Sequence, residues 1–343
     1  MYIIAEIGVN FFDIAKKYDI SLFDACKLMI VDAKKNGAHA VKFQAYKADT
    51  LASKHSPAYW DTTLEPTTNQ HELFKKHDCF EQKDFENIAT FCNKTNIDFI
   101  CTPFDLASVD YLDNIVDVYK ISSSDITNKP LLIRVAEKKK KIFLSTGAST
   151  IEEIKQAIDI IQSTGNNDIV IMHCVLSYPT KDEDANLHMI TSIKNNFPEY
   201  EIGYSDHTKP DTQMMIVTAA YLLGATYIEK HYTLDKTLQG NDHYHSMDSC
   251  DLKQLTHTNK FLNIIIGKKE KDVLPCEQQS RLHARRSIVA KKNIKKGQII
   301  QSTDLICKRP GTGISPIDID KLIDKTAVTN VKEDEIIQWN HIQ

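Results

Sequence analysis

The chain has 343 residues, with 42 Lys and Arg against 46 Asp and Glu, a formal net charge of -4. That balance lacks the basic footprint of a nucleic-acid binder and the cationic face of a membrane-surface protein. Hydrophobic residues make up 42%, far above a disordered composition, and at roughly 100–200 residues per domain the length accommodates one large domain and one small one.

Met1 leads straight into Tyr2-Ile3-Ile4-Ala5 without a basic n-region or a cleavage site, so no signal peptide is expected. Eight short apolar or β-branched runs then recur: 2–7, 39–44, 98–102, 116–121, 141–145, 168–173, 201–204 and 226–231. Between them lie helical spacings, such as Leu22, Ala25, Leu28, Met29 and Ala33, or Ile151, Ile154, Ala157, Ile158 and Ile161 behind a Ser149 or Thr150 cap. Continuous apolar strands alternating with amphipathic helices predict parallel βαβ units, and eight of them predict a (β/α)8 barrel. An open doubly wound sheet is the alternative. No GxGxxG follows the first run, which weakens its dinucleotide-binding form.

The 46–80 segment reads as a loop inserted over the barrel mouth. Lys138-Lys139-Lys140-Lys141 reads as a solvated, dipole-compensating face at a helix end. The low-charge stretch 213–228 falls short of the ~20 apolar residues of a membrane span. Gly224 divides it, and it reads as a buried helix followed by a buried strand. After Ile266 the texture changes to charged residues, then to short β-type runs separated by turns such as Arg309-Pro310-Gly311-Thr312-Gly313. The expected domains are therefore a barrel over 1–270, a linker over 271–285 and a small mostly-β domain over 286–343, only marginally stable alone at that size and so expected to dock on something. The eight cysteines are scattered with no CxxC pair, as expected of reduced cytoplasmic thiols.

In such a barrel the active site forms at the carboxyl ends of the strands. Those ends carry Glu6 with Asn10, Lys42 with Gln44, Thr102, Lys120 with Ser123 and Asp125, Ser145 with Thr146, Tyr178, Ser205-Asp206-His207, and Glu229 with His231. Two lysines with hydroxyls from several loops suit an anion, most simply a phosphate; a strand-end lysine also suits a Schiff-base aldolase. His207 and His231 end strands expected to be neighbours, about 4.8 Å apart, so both imidazoles can reach one cation completed by water and substrate oxygens, such as Mn2+ or Mg2+. A hydrogen-bonded pair of core histidines is the plainer reading. His173 is expected to be a satisfied buried histidine, and His245 a solvated one in a loop.

These rim segments resemble the sialic acid synthase family, which makes nonulosonic acids from phosphoenolpyruvate and an N-acyl hexosamine. The matching segments run in the family's order through Glu6-Ile7-Gly8-Val9-Asn10, Val41-Lys42-Phe43-Gln44, Thr102-Pro103-Phe104, Tyr119-Lys120-Ile121-Ser122-Ser123-Ser124-Asp125, Leu144-Ser145-Thr146-Gly147, His173-Cys174, Tyr178-Pro179-Thr180, Gly203-Tyr204-Ser205-Asp206-His207 and Ile228-Glu229-Lys230-His231. The tail is similar to the family's antifreeze-like (SAF) domain through Ala284-Arg285-Arg286-Ser287 and Lys308-Arg309-Pro310-Gly311-Thr312-Gly313. The resemblance implies a TIM barrel followed by that domain. It implies phosphoenolpyruvate on Lys42, Thr102, Lys120, Ser123 and Ser205, a divalent metal on His207 and His231, and the sugar along Glu6, Gln44, Tyr178 and Asp242. It also implies that Arg309 reaches the sugar's N-acyl group from a partner subunit in a domain-swapped homodimer.

The implied product is an N-acetylneuraminate-type acid from N-acetylmannosamine, or a legionaminate or pseudaminate from a 2,4-diacetamido-trideoxyhexose. Three positions depart from the family pattern. Phe11-Phe12 stand where a His is usual, Leu176 where many members have Asn, and Asp125 where Glu is common. Asp125 is the expected proton-handling carboxylate, with Glu6 and Tyr178 beside the reacting groups. A non-enzymatic carbohydrate- or ice-binding role, suggested by the tail alone, leaves the rim of Lys, Glu and His without a purpose.

Overall fold

The computed structural model describes every residue except Leu64 and Asn241. The chain divides into two compact units, residues 1–266 and 267–343.

The first unit is a closed barrel of eight parallel strands. They are β1 (Tyr2–Glu6), β2 (Ala40–Ala45), β3 (Asp98–Pro103), β4 (Val118–Ile121), β5 (Lys141–Ser145), β6 (Ile169–Cys174), β7 (Glu201–Asp206) and β8 (Tyr227–His231). Each falls within about two residues of its sequence-based position. The barrel closes where β1 pairs with β8, with Glu6 opposite His231. Helices cover its outer face. The Leu22–Lys35 helix starts at Ser21, whose hydroxyl accepts from the Asp24 amide; the Ile151–Ser163 helix starts at a Thr150–Glu153 capping box.

Side chains alternate across each strand with period two, and this alternation produces two apolar layers and one polar one. Ile3, Ala5, Val41, Phe43, Cys101, Leu144, Ile171 and Tyr204 face the helices. Ile4, Ala40, Ile100, Phe143, Val170 and Met172 fill the barrel interior. Gly203 suits that filling, because a Cβ there would crowd the Met172 side chain at 3.0 Å and the Tyr227 carbonyl at 3.1 Å. Above the apolar plug, the same inward positions one pleat further on are polar.

Three local expectations need correction. The helix in the 213–228 stretch spans Met215–Leu222, but only Val217, Thr218 and Ala220 are buried, so it presents one face inward and exposes Met215 and Leu222. The lysine run is only partly a solvated face. Lys139 is exposed, but Lys138 bonds Asp110 at 3.0 Å, Lys140 lies 3.2 Å from Asp113 and Lys141 lies 2.9 Å from Asp168, because acidic residues of neighbouring elements meet these three ammoniums. Asp206 is not a rim group: it points out of the barrel into a buried ion pair with Lys230 and accepts from Tyr204 and Thr208.

The second unit has its own small core of Ile288, Ala290, Ile294, Ile300, Ile314, Leu322 and Ile337. It carries an antiparallel pair, β9 (Ser287–Ala290) with β10 (Leu305–Lys308). The 271–285 segment contains a helix over Gln278–His283 and groups with this unit.

Candidate active site

A cavity of about 780 Å³ opens at the carboxyl ends of the strands. Its floor is a closed network of two lysines and two glutamates. Lys42 Nζ lies 2.5 Å from Glu6 Oε2, 3.1 Å from Thr102 Oγ1 and 3.9 Å from Glu229 Oε1. Lys120 Nζ lies 2.7 Å from the same Glu229 oxygen, which also accepts from Ser205 at 3.0 Å. Gln44 donates to Glu6 at 2.8 Å. All four charged groups are buried, a placement tolerable only because they neutralise one another. Burial works against the Glu229 charge, but the Lys120 and Lys42 ammoniums outweigh it and hold the carboxyl down at about 2. Burial likewise opposes the Lys42 charge, and Glu229 and Glu6 overcome it and keep this ammonium protonated. The two glutamates, not the lysines alone, set the charge of this floor; sequence reading put both at the rim but missed their pairing, since it depends on the register across four strands.

Asp125 ends the turn Ser123–Asp125 that follows β4. It lines the cavity, accepts from Asn128 at 2.9 Å, and has its carboxyl raised by burial against the pull of Asn128 and Ser124. The Ser123 hydroxyl accepts from the Gly147 amide at 2.9 Å, which pins the β4 and β5 loops together. Thr146 is turned away, donating to the Met172 carbonyl at 2.9 Å. Asn10 also acts as a clamp, donating to the Tyr232 carbonyl at 2.9 Å and to Ser246 at 3.0 Å. Phe11, the first departure, is buried against Phe12, Phe43 and Phe80, so loop one begins the Phe11–Tyr18 helix rather than presenting an imidazole. Leu176, the second, lines the cavity with an apolar side chain.

The cavity is also lined by an aromatic wall rich in histidine. The Tyr178 ring centre lies 4.2 Å from that of His207 and 6.3 Å from that of Tyr59, which the 46–80 insertion contributes to the cavity wall. The His207 and His231 ring centres are 5.4 Å apart. His207 Nδ1 lies 3.0 Å from the Val175 carbonyl, the kind of bond that orients a metal-ligating imidazole. Asp242 approaches His231 Nδ1 at 3.5 Å. His231, Asp242 and His245 each offer a ligand atom, all within 4.8 Å of one another, and form a possible metal-binding group.

The expected solvation of His245 is wrong. The residue is fully buried, because the turn His243–His245 tucks it beneath His231. His173 is buried with Nε2 3.0 Å from the Ala185 carbonyl, a satisfied core histidine as expected. Arg309 lies exposed on the second unit, at the end of β10. The cavity thus gathers Glu6, Lys42, Gln44, Thr102, Lys120, Ser123, Asp125, Tyr178, Ser205, His207, His231 and Asp242.

The match to the NeuB family spans residues 29–271, and a match to the SAF domain spans residues 285–343. The chain belongs to the NeuB family. It is 37% identical over 98% of its length to the N,N'-diacetyllegionaminic acid synthase of Campylobacter jejuni, covering 98% of that protein. It is 35% identical over its whole length to the enzyme of the same name from Legionella pneumophila, covering 94% of it. The crystal structure of N-acetylneuraminic acid synthetase from Leptospira borgpetersenii superposes with a TM-score of 0.70 at 33% identity, over 81% of this chain and 89% of that one. The protein is a nonulosonic acid synthase-type member of this family, built as a TIM barrel with a C-terminal SAF domain. No helix among the described residues is long and apolar enough to cross a membrane.

Proposed function

We propose that this protein condenses phosphoenolpyruvate with an N-acyl hexosamine and water to give a nonulosonic acid and phosphate. A 2,4-diacetamido-trideoxyhexose is the favoured sugar, because two of the relatives above are named as legionaminic acid synthases. N-acetylmannosamine is the competing substrate. The observation that carries the reading is the convergence of Lys42, Lys120, Thr102, Ser123 and Ser205 on a single cavity together with His207, His231 and Asp242.

Lys42 and Lys120 supply point charge for the phosphate and carboxylate of phosphoenolpyruvate, and the hydroxyls supply direction. Glu6, Gln44, Tyr178 and Asp242 line the place of the sugar. The methylene carbon of phosphoenolpyruvate forms the new bond to the sugar's aldehyde carbon. Water then adds to the former enol carbon, and phosphate departs with its bridging oxygen by C–O cleavage. Asp125, raised by burial, holds or takes the proton that these steps move. The buried donors of the histidine wall fit a divalent ion such as Mn2+, and polarisation of the aldehyde oxygen is the chemistry such an ion would supply when bound. A Schiff-base route is disfavoured, because Lys42 is kept protonated and Lys120 is held 2.7 Å from Glu229, whereas imine formation needs a free amine.

The test is phosphate release from phosphoenolpyruvate against a panel of N-acyl hexosamines with Mn2+ present. Release only with the 2,4-diacetamido sugar supports the reading; release with no sugar, or trapping of a substrate–lysine adduct by borohydride, refutes it. Chelation is expected to abolish turnover and Mn2+ to restore it. A His207→Ala, His231→Ala double variant with full activity would show that these imidazoles hold nothing the reaction needs.

Arg309 of the partner subunit is proposed to meet the N-acyl group, in a domain-swapped homodimer. Arginine suits the role through its planar, directed donors, and its exposure at the end of β10 leaves the guanidinium free to engage a ligand. Mixing an Arg309→Ala chain with a Lys42→Ala chain, each inactive alone, should restore activity, because half of the sites in mixed dimers then carry no defect. Absence of recovery, with mixed dimers confirmed by mass, rules out the swapped arrangement.

A further inference from the structure

Three histidines of the first unit provide an internal comparison. Each is almost wholly buried, and a buried imidazole costs free energy unless its nitrogens find partners. His173 has its carbonyl partner. His243 has two, Thr233 Oγ1 at 2.8 Å from Nδ1 and Asp13 at 3.2 Å from Nε2. Among the described residues, His245, two residues further along the same turn, has neither Nδ1 nor Nε2 bonded, and His231 Nδ1 is unbonded as well. A turn that satisfies one histidine fully and leaves the next with two bare nitrogens is explained if a ligand other than a protein group belongs there.

The placement of these nitrogens indicates what that ligand is. The His231 and His245 ring centres are 4.8 Å apart, and that of His207 lies 5.4 Å from the first and 6.1 Å from the second. Two imidazoles sharing one ion through bonds of ~2.1 Å have ring centres about 5 Å apart, a spacing that the His231–His245 and His207–His231 pairs meet, while His207 and His245 stand further apart, on either side of His231. The Asp242 carboxylate stands with His231 and His245 in one group whose ligand atoms all lie within 4.8 Å of one another, and it supplies negative charge where the imidazoles supply none. His231, His207 and Asp242 line the cavity, whereas His245 is sealed behind them. A ligand atom placed there can hold an ion from the protein side and leave the cavity side open to water and substrate.

We propose that His245 is a third imidazole ligand of the cation held by His207 and His231, making the site one that selects a transition-metal ion such as Co2+ or Zn2+ over Mg2+. This rests on the reading above only in that the site holds a divalent ion. Two histidines completed by oxygen ligands suit hard ions loosely held. Three imidazoles with one carboxylate shift the donor set towards nitrogen, which borderline metals prefer and Mg2+ does not. The ion also gains a ligand that solvent cannot reach, so it exchanges slowly.

The test measures metal binding on the full-length protein, stripped by chelator, without turnover. Co2+ is titrated by calorimetry and by its visible absorption, with Mg2+ in parallel. Wild type is expected to bind Co2+ more tightly than Mg2+, and His245→Ala to weaken Co2+ binding at least about tenfold, as loss of a metal-supporting contact does. Co2+ affinity unchanged in a folded His245→Ala protein overturns the proposal. If that variant does not fold, X-ray absorption on the zinc-loaded wild type decides by counting imidazole rings; two rings instead of three overturn it. A His207→Ala protein that loses the ion while His245→Ala keeps it refutes only the third ligand. A wild type that binds no divalent ion refutes the metal reading together with it.

Discussion

Replacing Glu229 with glutamine is expected to destabilise the barrel by about 3–5 kcal/mol, because breaking a buried ion pair leaves an uncompensated buried charge. Glu229 is the partner of Lys120 at 2.7 Å and lies 3.9 Å from Lys42. Lys42 retains Glu6, 2.5 Å away, so the stranded ammonium is that of Lys120. A loss of that size should lower Tm by roughly 6–20 °C. A second change identifies the cause. Adding Lys120→Met to the Glu229→Gln protein should recover part of the loss, since it removes the unpaired charge, and the double-mutant cycle then shows strong coupling. Destabilisation below ~1 kcal/mol, or strictly additive effects, would mean that water rather than Glu229 compensates Lys120.

The same pair makes stability depend on pH. Glu229 is held at about 2, below the ordinary glutamate range. A carboxyl with a lowered folded-state value stabilises fully above its unfolded value and loses that contribution as pH falls through the folded one. The Glu229 contribution is therefore present at neutral pH and declines between about 4.3 and about 2. In Glu229→Gln that part of the acid dependence should vanish.

Asp125→Asn is expected to lower kcat by about 10²–10⁴ while phosphoenolpyruvate binding changes little, because Asp125 is proposed to serve the proton transfer rather than the lysine floor. Burial raises its carboxyl, so the wild-type kcat profile should show a limb above the usual aspartate range that the Asn variant lacks. Asparagine keeps the side-chain size and the oxygen that accepts from Asn128, so the Ser123–Asp125 turn should survive. Asp125→Glu is expected to retain activity, since glutamate is common at this position in the family. Near-normal kcat in Asp125→Asn removes this residue from the chemistry.

The barrel and the identity of its floor were legible in the chain itself. Each strand announced itself as a short apolar run between amphipathic helices. The covalent geometry of an extended backbone sends alternate side chains to opposite faces, so Glu6, Lys42, Thr102, Lys120, Ser205 and Glu229 at the ends of those runs had to share one rim once the strands were parallel. Whether a rim residue points inward depends on one pleat, and that is where reading by position failed. Asp206 sits one residue beyond Ser205 and therefore faces Lys230 outside the barrel.

Pairing was decided only by the tertiary structure, because it depends on barrel closure. Glu6 and His231 lie at opposite ends of the barrel sequence and become neighbours when β1 meets β8. No local pattern specifies that Glu229 serves Lys120 from four strands away, or that the turn after β8 folds back to bury His245 under His231. Histidine in a polar, loop-like segment is compatible with full exposure or full burial, and its local propensities are the same in both. The difference arises from which neighbours exclude water, and those neighbours are brought together by closure of the sheet rather than by adjacency in the chain.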